Sequence, residues 1–178
     1  MKTQGLKKEH LKELVKSPNI ALRKGAGSLI HLAHNQGIPF HIFSAGLYDV
    51  IHEFLEYQGL NSHGVHVVSN MMDFDFETGE LKGFTGSLIH TFNKNGSALR
   101  GSPGWQHIQE KHSVLLLGDS ITDVNMAEGL EAETILSVAF LNDRLEERLP
   151  EFRKKFDVVL LNDPPMDFVL ELVQKYLD

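Results

Sequence analysis

Two aspartates follow the most apolar strand-like segment of the chain, and their spacing suits a metal ion. Asp119 comes directly after the run 113–118, and Asp123 lies four positions further on. Hard cations such as Mg²⁺ prefer carboxylates together with water and phosphate oxygens. Capping of the following helix by Asp119 or Ser120, with Asp123 as a favourable first-turn charge, is the structural alternative. Gly118 favours the metal site, because a glycine lets the backbone approach a ligand closely.

An earlier predicted strand is followed by a serine, an alanine and a glycine. Ser44, Ala45 and Gly46 follow the apolar segment 39–43 and precede a predicted helix. Ser44 could donate its hydroxyl to a phosphate, and the following backbone N–H groups could add theirs. A simple serine cap explains the same pattern without a ligand.

A lysine lies at the end of a predicted hairpin, in Phe92-Asn93-Lys94. A lysine beside a phosphate neutralises the charge that develops during phosphoryl transfer. The alternative is a solvated loop lysine, so Lys94 carries little information until it is combined with the other two segments.

Short apolar strands alternate with amphipathic helices along the chain. Strands are predicted at 39–43, 65–69, 113–118, 135–140 and 157–161, and helices at 6–16, 20–36, 47–58, 104–112, 123–130, 143–154 and 166–177. Residues 71–93 alternate with a period of two, which predicts a β-hairpin or meander. The pattern predicts an α/β fold with a Rossmann-like parallel sheet and helices on both faces. Ligands of such sheets bind beyond the carboxyl ends of the strands.

The composition narrows the class of protein. The 178 residues are 42% hydrophobic, and the absence of Cys excludes disulfides and a thiol nucleophile. No apolar run approaches the ~18–20 residues of a membrane span, and the basic N-terminus has no apolar core of a signal peptide. The net charge of −7 comes without a clustered basic surface. We therefore expect a cytoplasmic protein that binds neither nucleic acid nor membrane.

Taken together, the three segments resemble motifs of the haloacid dehalogenase superfamily of phosphohydrolases, and most closely its cytosolic 5′-nucleotidase III family. That family includes pyrimidine and 7-methylguanosine monophosphate nucleotidases. The similar stretches cover nearly the whole chain: IFSAG at 42–46, VVSNMMDF at 67–74, GELKGFTGSLIHTFNKN at 79–95, LLLGDSITDVNMAEG at 115–129 and FLNDRLEER at 140–148.

The resemblance implies a Mg²⁺-dependent 5′-nucleotidase, a phosphatase that hydrolyses nucleoside 5′-monophosphates to nucleoside and phosphate. It implies Mg²⁺ bound by Asp119, with Asp123 either as a second ligand or as support for the first, and phosphate held by Ser44, Ala45 and Gly46. Lys94 would pair with the phosphate and with the nucleophile. The family's chemistry proceeds through an aspartyl-phosphate, which is covalent catalysis by a carboxylate.

The resemblance also implies an N-terminally truncated member of the family. The nucleophile belongs to a DxDx[TV] motif on a central first strand upstream of the serine motif, yet residues 1–43 contain no Asp. Asp73 and Asp75 imitate the motif but lie inside the predicted hairpin. We therefore predict a remnant of a helical cap over 1–36 and an incomplete core over 37–178, without the central first strand.

Loss of a central strand would leave buried strands without backbone partners. The sheet could close by re-pairing, another chain could supply the strand, or the chain could be a partial product. The rival to the enzyme is therefore a catalytically silent fragment or subunit that binds Mg²⁺ or phosphate.

Overall fold

A computed structural model of the protein describes residues 5–61, 64–91, 93–102 and 104–177. The chain divides into two units, Met1–Ile89 and His90–Asp178. The predicted division into 1–36 and 37–178 stays a prediction, and residues 1–4 of its first part lie outside the described residues.

The first unit contains a parallel strand pair and an antiparallel hairpin. Its elements are α1 (His10–Leu14), α2 (Ala26–Asn35), β1 (Phe40–Leu47), α3 (Tyr48–Tyr57), β2 (Val65–Asn70), β3 (Met72–Phe74) and β4 (Leu81–Phe84). β1 pairs in parallel with β2, so the ends of both strands, Leu47 and Asn70, lie at one edge. β3 pairs with β4 in antiparallel fashion, which confirms the predicted hairpin.

Two helices of this unit end where the sequence predicts. Gly37 and Gly59 adopt positive φ angles of 63° and 68° just beyond α2 and α3. The residue after each glycine donates its N–H to a carbonyl in the last turn of the helix: Ile38 to Ala33 in α2, and Leu60 to Leu55 in α3, both at 2.8 Å. This left-handed glycine ending satisfies carbonyl groups that the helix itself leaves unpaired.

Two other helices are shorter than predicted. The predicted helix 20–36 begins only at Ala26, because Gly25 has a φ of 86° and cannot continue a right-handed helix backwards. The predicted helix 6–16 is reduced to His10–Leu14. Its first residues serve the hairpin instead, since Lys7 forms an antiparallel bridge with Glu80.

The core of the first unit joins its helices to the parallel pair. Ile30 of α2, Leu55 of α3 and Leu60 are buried together. The apolar side chains packed against them are Leu22, Phe40, Ile42, Ile51, Val65 and Val67. Alternate residues of β1 and β2 therefore cover the inner faces of α2 and α3.

The second unit is built on three parallel strands. Its elements are α4 (Gly96–Leu99), α5 (Trp105–Gln109), β5 (Ser113–Gly118), a 3₁₀ helix (Asp123–Ala127), β6 (Thr134–Leu141), α6 (Leu145–Lys155), β7 (Val158–Leu161) and α7 (Asp167–Leu177). The strand order is β5-β6-β7. The predicted helix 123–130 is a 3₁₀ helix of five residues, because Glu128 is extended and Gly129 has a φ of 82°.

The middle strand carries the core of this unit. Ala139 and Leu141 of β6 are fully buried and pack with Leu116 of β5 and with Phe152 and Phe156. The two aromatic rings stack at a centroid distance of 5.7 Å. The helix predicted at 143–154 therefore buries Phe152 in this core, while most of its charged side chains are exposed.

The prediction of an α/β fold with parallel strands is confirmed, but the strands lie in separate sheets. Within the described ranges, β1 pairs only with β2, and β5 pairs only with β6. Re-pairing of β1 with β5 is therefore not found among the described strands. Within the same ranges, no helix combines the length and the apolar character needed to cross a bilayer.

A polar link joins β6 to the start of β7. The buried Ser137 donates its hydroxyl to Asp157 Oδ2 at 2.6 Å, and its backbone N–H donates to the same oxygen at 2.8 Å. The Asp157 N–H donates back to Ser137 Oγ at 3.0 Å. The hydrogen bonds from the Ser137 side chain and backbone lower the pKa of Asp157 below its ordinary value of 3.8.

We expect Ser137→Ala to lower the free energy of unfolding by about 1 kcal/mol at neutral pH, because a buried hydrogen-bonding hydroxyl is lost. Since the folded pKa of Asp157 is depressed, this stability is present above the unfolded pKa and is lost as pH falls through the folded pKa. Urea denaturation from pH 7 to pH 2, with a carbon NMR titration of the Asp157 carboxyl, measures both quantities. An Asp157 pKa that does not rise in the variant would contradict this assignment.

Candidate active site

The predicted phosphate-binding residues lie in the last part of β1, where its pairing with β2 is irregular. The register runs evenly from Phe40 to Phe43 and resumes only at Leu47. Ser44 is half-buried in this gap, whereas Ala45 and Gly46 are exposed. Ser44 Oγ accepts the Gly46 N–H at 3.0 Å. Its own proton therefore points elsewhere, and the hydroxyl remains able to donate.

The carbonyl groups of this loop are held by the end of the neighbouring strand. Ser69 Oγ donates to the Gly46 carbonyl at 2.7 Å, and Asn70 Nδ2 donates to the Ala45 carbonyl at 2.9 Å. A backbone carbonyl repels an anion, whereas an N–H attracts one. Fixing the carbonyls on protein donors keeps the loop suited to an anionic ligand.

In the second unit, Asp123 is the most fully engaged acidic residue of the predicted site. Its side chain is 5% exposed. Its Oδ2 atom accepts the backbone N–H groups of Asp119 and Ser120, each at 3.0 Å. Its Oδ1 atom accepts Lys94 Nζ at 2.8 Å. The turn after β5 is thus folded around the Asp123 carboxylate.

Lys94 is not a solvated loop lysine. Its side chain is 12% exposed and forms an ion pair with Asp123 at 2.8 Å. The prediction that Lys94 lies at the end of the hairpin is wrong, because β4 ends at Phe84 and Lys94 belongs to the second unit. Phe92 of the same segment lies outside the described residues. The structure brings Lys94 and Asp123 together, although 29 positions separate them in the sequence.

Asp119 presents the opposite arrangement. It lies immediately after β5 and is exposed, and its backbone is anchored through the N–H that Asp123 accepts. In the part of the chain that the structure describes, its carboxylate has no hydrogen-bond or ion-pair partner. An exposed carboxylate on a fixed backbone is a suitable donor for a hard cation.

The observed hydrogen bonds distinguish the roles of Asp119, Ser120 and Asp123 as helix caps or metal ligands. The Asp123 carboxylate accepts the N–H groups of Asp119 and Ser120, and Ser120 Oγ accepts the Thr122 N–H at 3.5 Å. Three donors occupy Asp123, and a carboxylate has about four lone-pair sites, so its capacity for a metal ion is nearly used. Among the described residues no group of three or more His, Asp or Glu side chains forms a metal cluster. The assignment of a metal to Asp119 and Asp123 stays a prediction.

Two glycines make this arrangement sterically feasible. A Cβ atom at Gly118 would lie 2.5 Å from the Asp123 Cβ and 2.8 Å from its Oδ2. A Cβ atom at Gly96 would lie 2.1 Å from the Glu128 carbonyl oxygen. Gly118 therefore admits the Asp123 side chain rather than an external ligand, and Gly96 lets the Lys94 loop contact the end of the 3₁₀ helix.

The two aspartates that imitate a nucleophile motif lie in the hairpin. Asp73 lies in β3, and Asp75 Oδ1 accepts the N–H groups of Glu77 and Thr78 and the Thr78 hydroxyl. The Thr78 backbone and hydroxyl are the main causes that hold the pKa of Asp75 below its ordinary value of 3.8. Asp75 therefore organises the turn of the hairpin, and Asp73 is a residue of its first strand.

Sequence reasoning missed three residues that shape the site: Ser69, Asn70 and Gly96. Ser69 and Asn70 are polar residues at the end of an otherwise apolar strand, and this position was a usable signal. Gly96 gave no signal, because its role depends on contact with the distant residue Glu128.

Comparison with known proteins places these features in context. The family model described as pyrimidine 5′-nucleotidase (UMPH-1) matches residues 1–177. The chain is 40% identical over 175 residues to the 7-methylguanosine phosphate-specific 5′-nucleotidase of Homo sapiens, covering 98% of this chain and 58% of that protein. It is also 40% identical over 172 residues to a Xenopus laevis protein described as 7-methylguanosine phosphate-specific 5′-nucleotidase B, covering 96% of this chain and 59% of that protein.

The fold comparison agrees with the sequence comparison. A crystal structure of cytosolic 5′-nucleotidase IIIB bound to cytidine matches with a TM-score of 0.86 and 31% identity, covering 98% of this chain and 60% of that one. The chain thus spans about three fifths of the length of these relatives. The resemblance stated from the sequence motifs is confirmed.

We expect Asp123→Ala to destabilise the protein by about 3–5 kcal/mol, because it removes the buried carboxylate that pairs with Lys94 and accepts two backbone N–H groups. Asp119→Asn is the matched control and should change the unfolding free energy by less than about 0.5 kcal/mol, since its side chain is exposed. Urea denaturation of both variants measures the difference. A double variant, Asp123→Ala with Lys94→Met, should recover part of the loss, and equal losses from Asp123→Ala and Asp119→Asn would refute the ion-pair argument.

Close packing at Gly96 gives a second expectation. Gly96→Ala should destabilise by at least about 1–3 kcal/mol, because the added methyl group meets a backbone oxygen that cannot rotate away. Gly83→Ala is the control, since a Cβ atom there has nothing within 4 Å. Thermal unfolding of the two variants should separate them clearly. Equal midpoints would mean that the Lys94 loop does not pack on Glu128.

Proposed function

The chain belongs to the pyrimidine 5′-nucleotidase (UMPH-1) family, and we propose that it binds the phosphate of a nucleoside 5′-monophosphate for Mg²⁺-dependent hydrolysis to nucleoside and phosphate. The observation that carries the proposal is the ion pair of Lys94 with Asp123, whose carboxylate also accepts the backbone N–H of the exposed Asp119. A lysine, a fixed carboxylate turn and an accessible carboxylate at the end of a parallel strand suit phosphoryl transfer.

Asp119 is the proposed direct ligand of Mg²⁺, and Asp123 is its support. Haloacid dehalogenase-like hydrolases generally use this ion, and carboxylate donors fit it. When bound, Mg²⁺ would neutralise phosphate charge. Asp123 would contribute chiefly by holding the Asp119 and Ser120 backbone through the N–H groups it accepts.

Phosphate binding is proposed for Ser44, Ala45 and Gly46. The Ser44 hydroxyl is free to donate, because its oxygen already accepts the Gly46 N–H. Exposure of Ala45 and Gly46 makes the loop backbone accessible to a ligand. Lys94 is proposed to balance charge on the transferred group, with Asp123 keeping the ammonium in place.

Catalysis by an aspartyl-phosphate needs a nucleophilic aspartate, and no Asp occurs before Asp49 in this sequence. The second candidate function is binding of Mg²⁺ or phosphate without turnover, by a fragment or by a subunit that pairs with another chain. The edges of β1 and β5 support the pairing proposal, because each strand is apolar and bonded on one side only among the described strands.

The substrates to test follow from the names of the relatives. Those relatives are described as 7-methylguanosine phosphate-specific 5′-nucleotidases, and the family model is described as pyrimidine 5′-nucleotidase. A cytoplasmic location is proposed on the same basis, since one relative from Caenorhabditis elegans is described as a putative cytosolic 5′-nucleotidase 3.

The decisive experiment measures phosphate release from 7-methylguanosine, uridine and cytidine monophosphates by this chain, with Mg²⁺ or with EDTA. Asp119→Asn should abolish Mg²⁺-dependent release, and Asp167→Asn, an exposed aspartate of the same unit, should leave it unchanged. Binding is followed separately by Mn²⁺ broadening of the amide signals of residues 119–123.

The two candidate functions give different results. Turnover that Asp119→Asn removes supports the enzyme. A folded chain without turnover, but with Mn²⁺ broadening that is lost in Asp119→Asn, supports the silent binding fragment or subunit. Absence of both turnover and broadening at Asp119 would overturn the metal assignment.

A further inference from the structure

Asn70 is a buried polar residue that the proposed chemistry does not use. It is the last residue of β2 and is 8% exposed. Its Nδ2 atom donates to the carbonyls of Ala45 and Ile89, both at 2.9 Å. Its Oδ1 atom accepts the Ile89 N–H at 2.7 Å. Both amide protons and the amide oxygen are therefore used, and the contact with the Ile89 N–H fixes which atom is oxygen.

One peptide group connects Asn70 to the predicted phosphate ligand Ser44. The peptide between Ala45 and Gly46 accepts the Asn70 amide at its carbonyl and donates its N–H to Ser44 Oγ at 3.0 Å. The donors all point in one direction along this chain of hydrogen bonds. Such aligned bonds strengthen one another in a region of low dielectric.

We propose that Asn70 is a positioning residue for phosphate binding, which orients the Ser44 hydroxyl through the Ala45–Gly46 peptide. This proposal rests on the function proposed for residues 44–46. By holding the Ala45 carbonyl, Asn70 directs the Gly46 N–H to the Ser44 oxygen. The Ser44 proton is then left to donate to a phosphate oxygen.

Ser69 provides a built-in comparison, because it holds the next carbonyl and not this one. Its hydroxyl donates to the Gly46 carbonyl at 2.7 Å. Ser69→Ala therefore loosens the following peptide but leaves the Asn70–peptide–Ser44 series intact. The two neighbouring residues should differ in their effect on Ser44, although both stabilise the same loop.

The first measurement needs no ligand. Hydrogen exchange of the Gly46 amide, followed by NMR, should become about tenfold faster in Asn70→Ala, because the peptide loses the bond at its carbonyl. Asn61→Ala is the matched control, since Asn61 is exposed and, among the described residues, its side-chain nitrogen is hydrogen-bonded to His52 and Glu56. Unchanged exchange at Gly46 in folded Asn70→Ala would overturn the proposal.

The second measurement is binding of inorganic phosphate with Mg²⁺ present, by calorimetry. Asn70→Ala and Ser44→Ala should each weaken binding about tenfold, and Ser69→Ala should weaken it less. The double variant of Asn70 and Ser44 should be about as weak as either single variant, because both act through one hydroxyl. A purely structural role would instead make the two losses multiply, and that result overturns the proposal.

Failure of the proposal and failure of the function beneath it are distinguishable. Wild-type protein that binds phosphate as tightly as Asn70→Ala overturns only the positioning role. Wild-type protein that binds no phosphate overturns the assignment of residues 44–46, and the positioning role with it. If Asn70→Ala does not fold, Asn70→Asp replaces it, because the carboxylate keeps the acceptor for the Ile89 N–H and lacks the donor to Ala45.

Discussion

The buried carboxylate of Asp123 is the constraint on which the second unit's candidate site depends. A charge removed from water is costly unless donors surround it, and here two backbone N–H groups and the Lys94 ammonium do so. These contacts require a sharp turn after β5 and a glycine at position 118, where a Cβ atom would collide with Asp123. They also require the Lys94 loop to reach the same point. Asp119 is left at the surface as a consequence.

The difference in burial and hydrogen bonding between Asp119 and Asp123 follows from this packing. The carboxylate oxygens of Asp123 accept hydrogen bonds from protein donors, whereas Asp119 contributes its backbone N–H to the turn. The buried Asp123 organises the backbone of the turn, and the exposed Asp119 is the proposed ligand of a cation. Two carboxylates four positions apart thus have different environments although their sequence context is similar.

Much of the fold could be predicted from the sequence, because apolar runs and glycines are local signals. The run 113–118 was correctly placed as a strand, and Gly37 and Gly59 correctly marked helix ends. The helix expected at 123–130 was wrong, since the demands of the Asp123 carboxylate and of Gly129 override local helix propensity. The pairing of Lys94 with Asp123 was not predicted, because no local pattern links positions so far apart and the family resemblance paired Lys94 with phosphate and the nucleophile.

Residues 44–46, for which phosphate binding is proposed, show why polar residues are needed at the end of the neighbouring strand β2. Regular pairing of β1 with β2 stops after Phe43 and resumes at Leu47, so the intervening peptides lose ladder partners. Backbone groups at a half-buried edge need other partners, and Ser69 and Asn70 provide donors for the carbonyls. The Gly46 N–H donates to Ser44 Oγ, so the Ser44 hydroxyl keeps its own proton for a further acceptor. This arrangement supports the anion site proposed at residues 44–46.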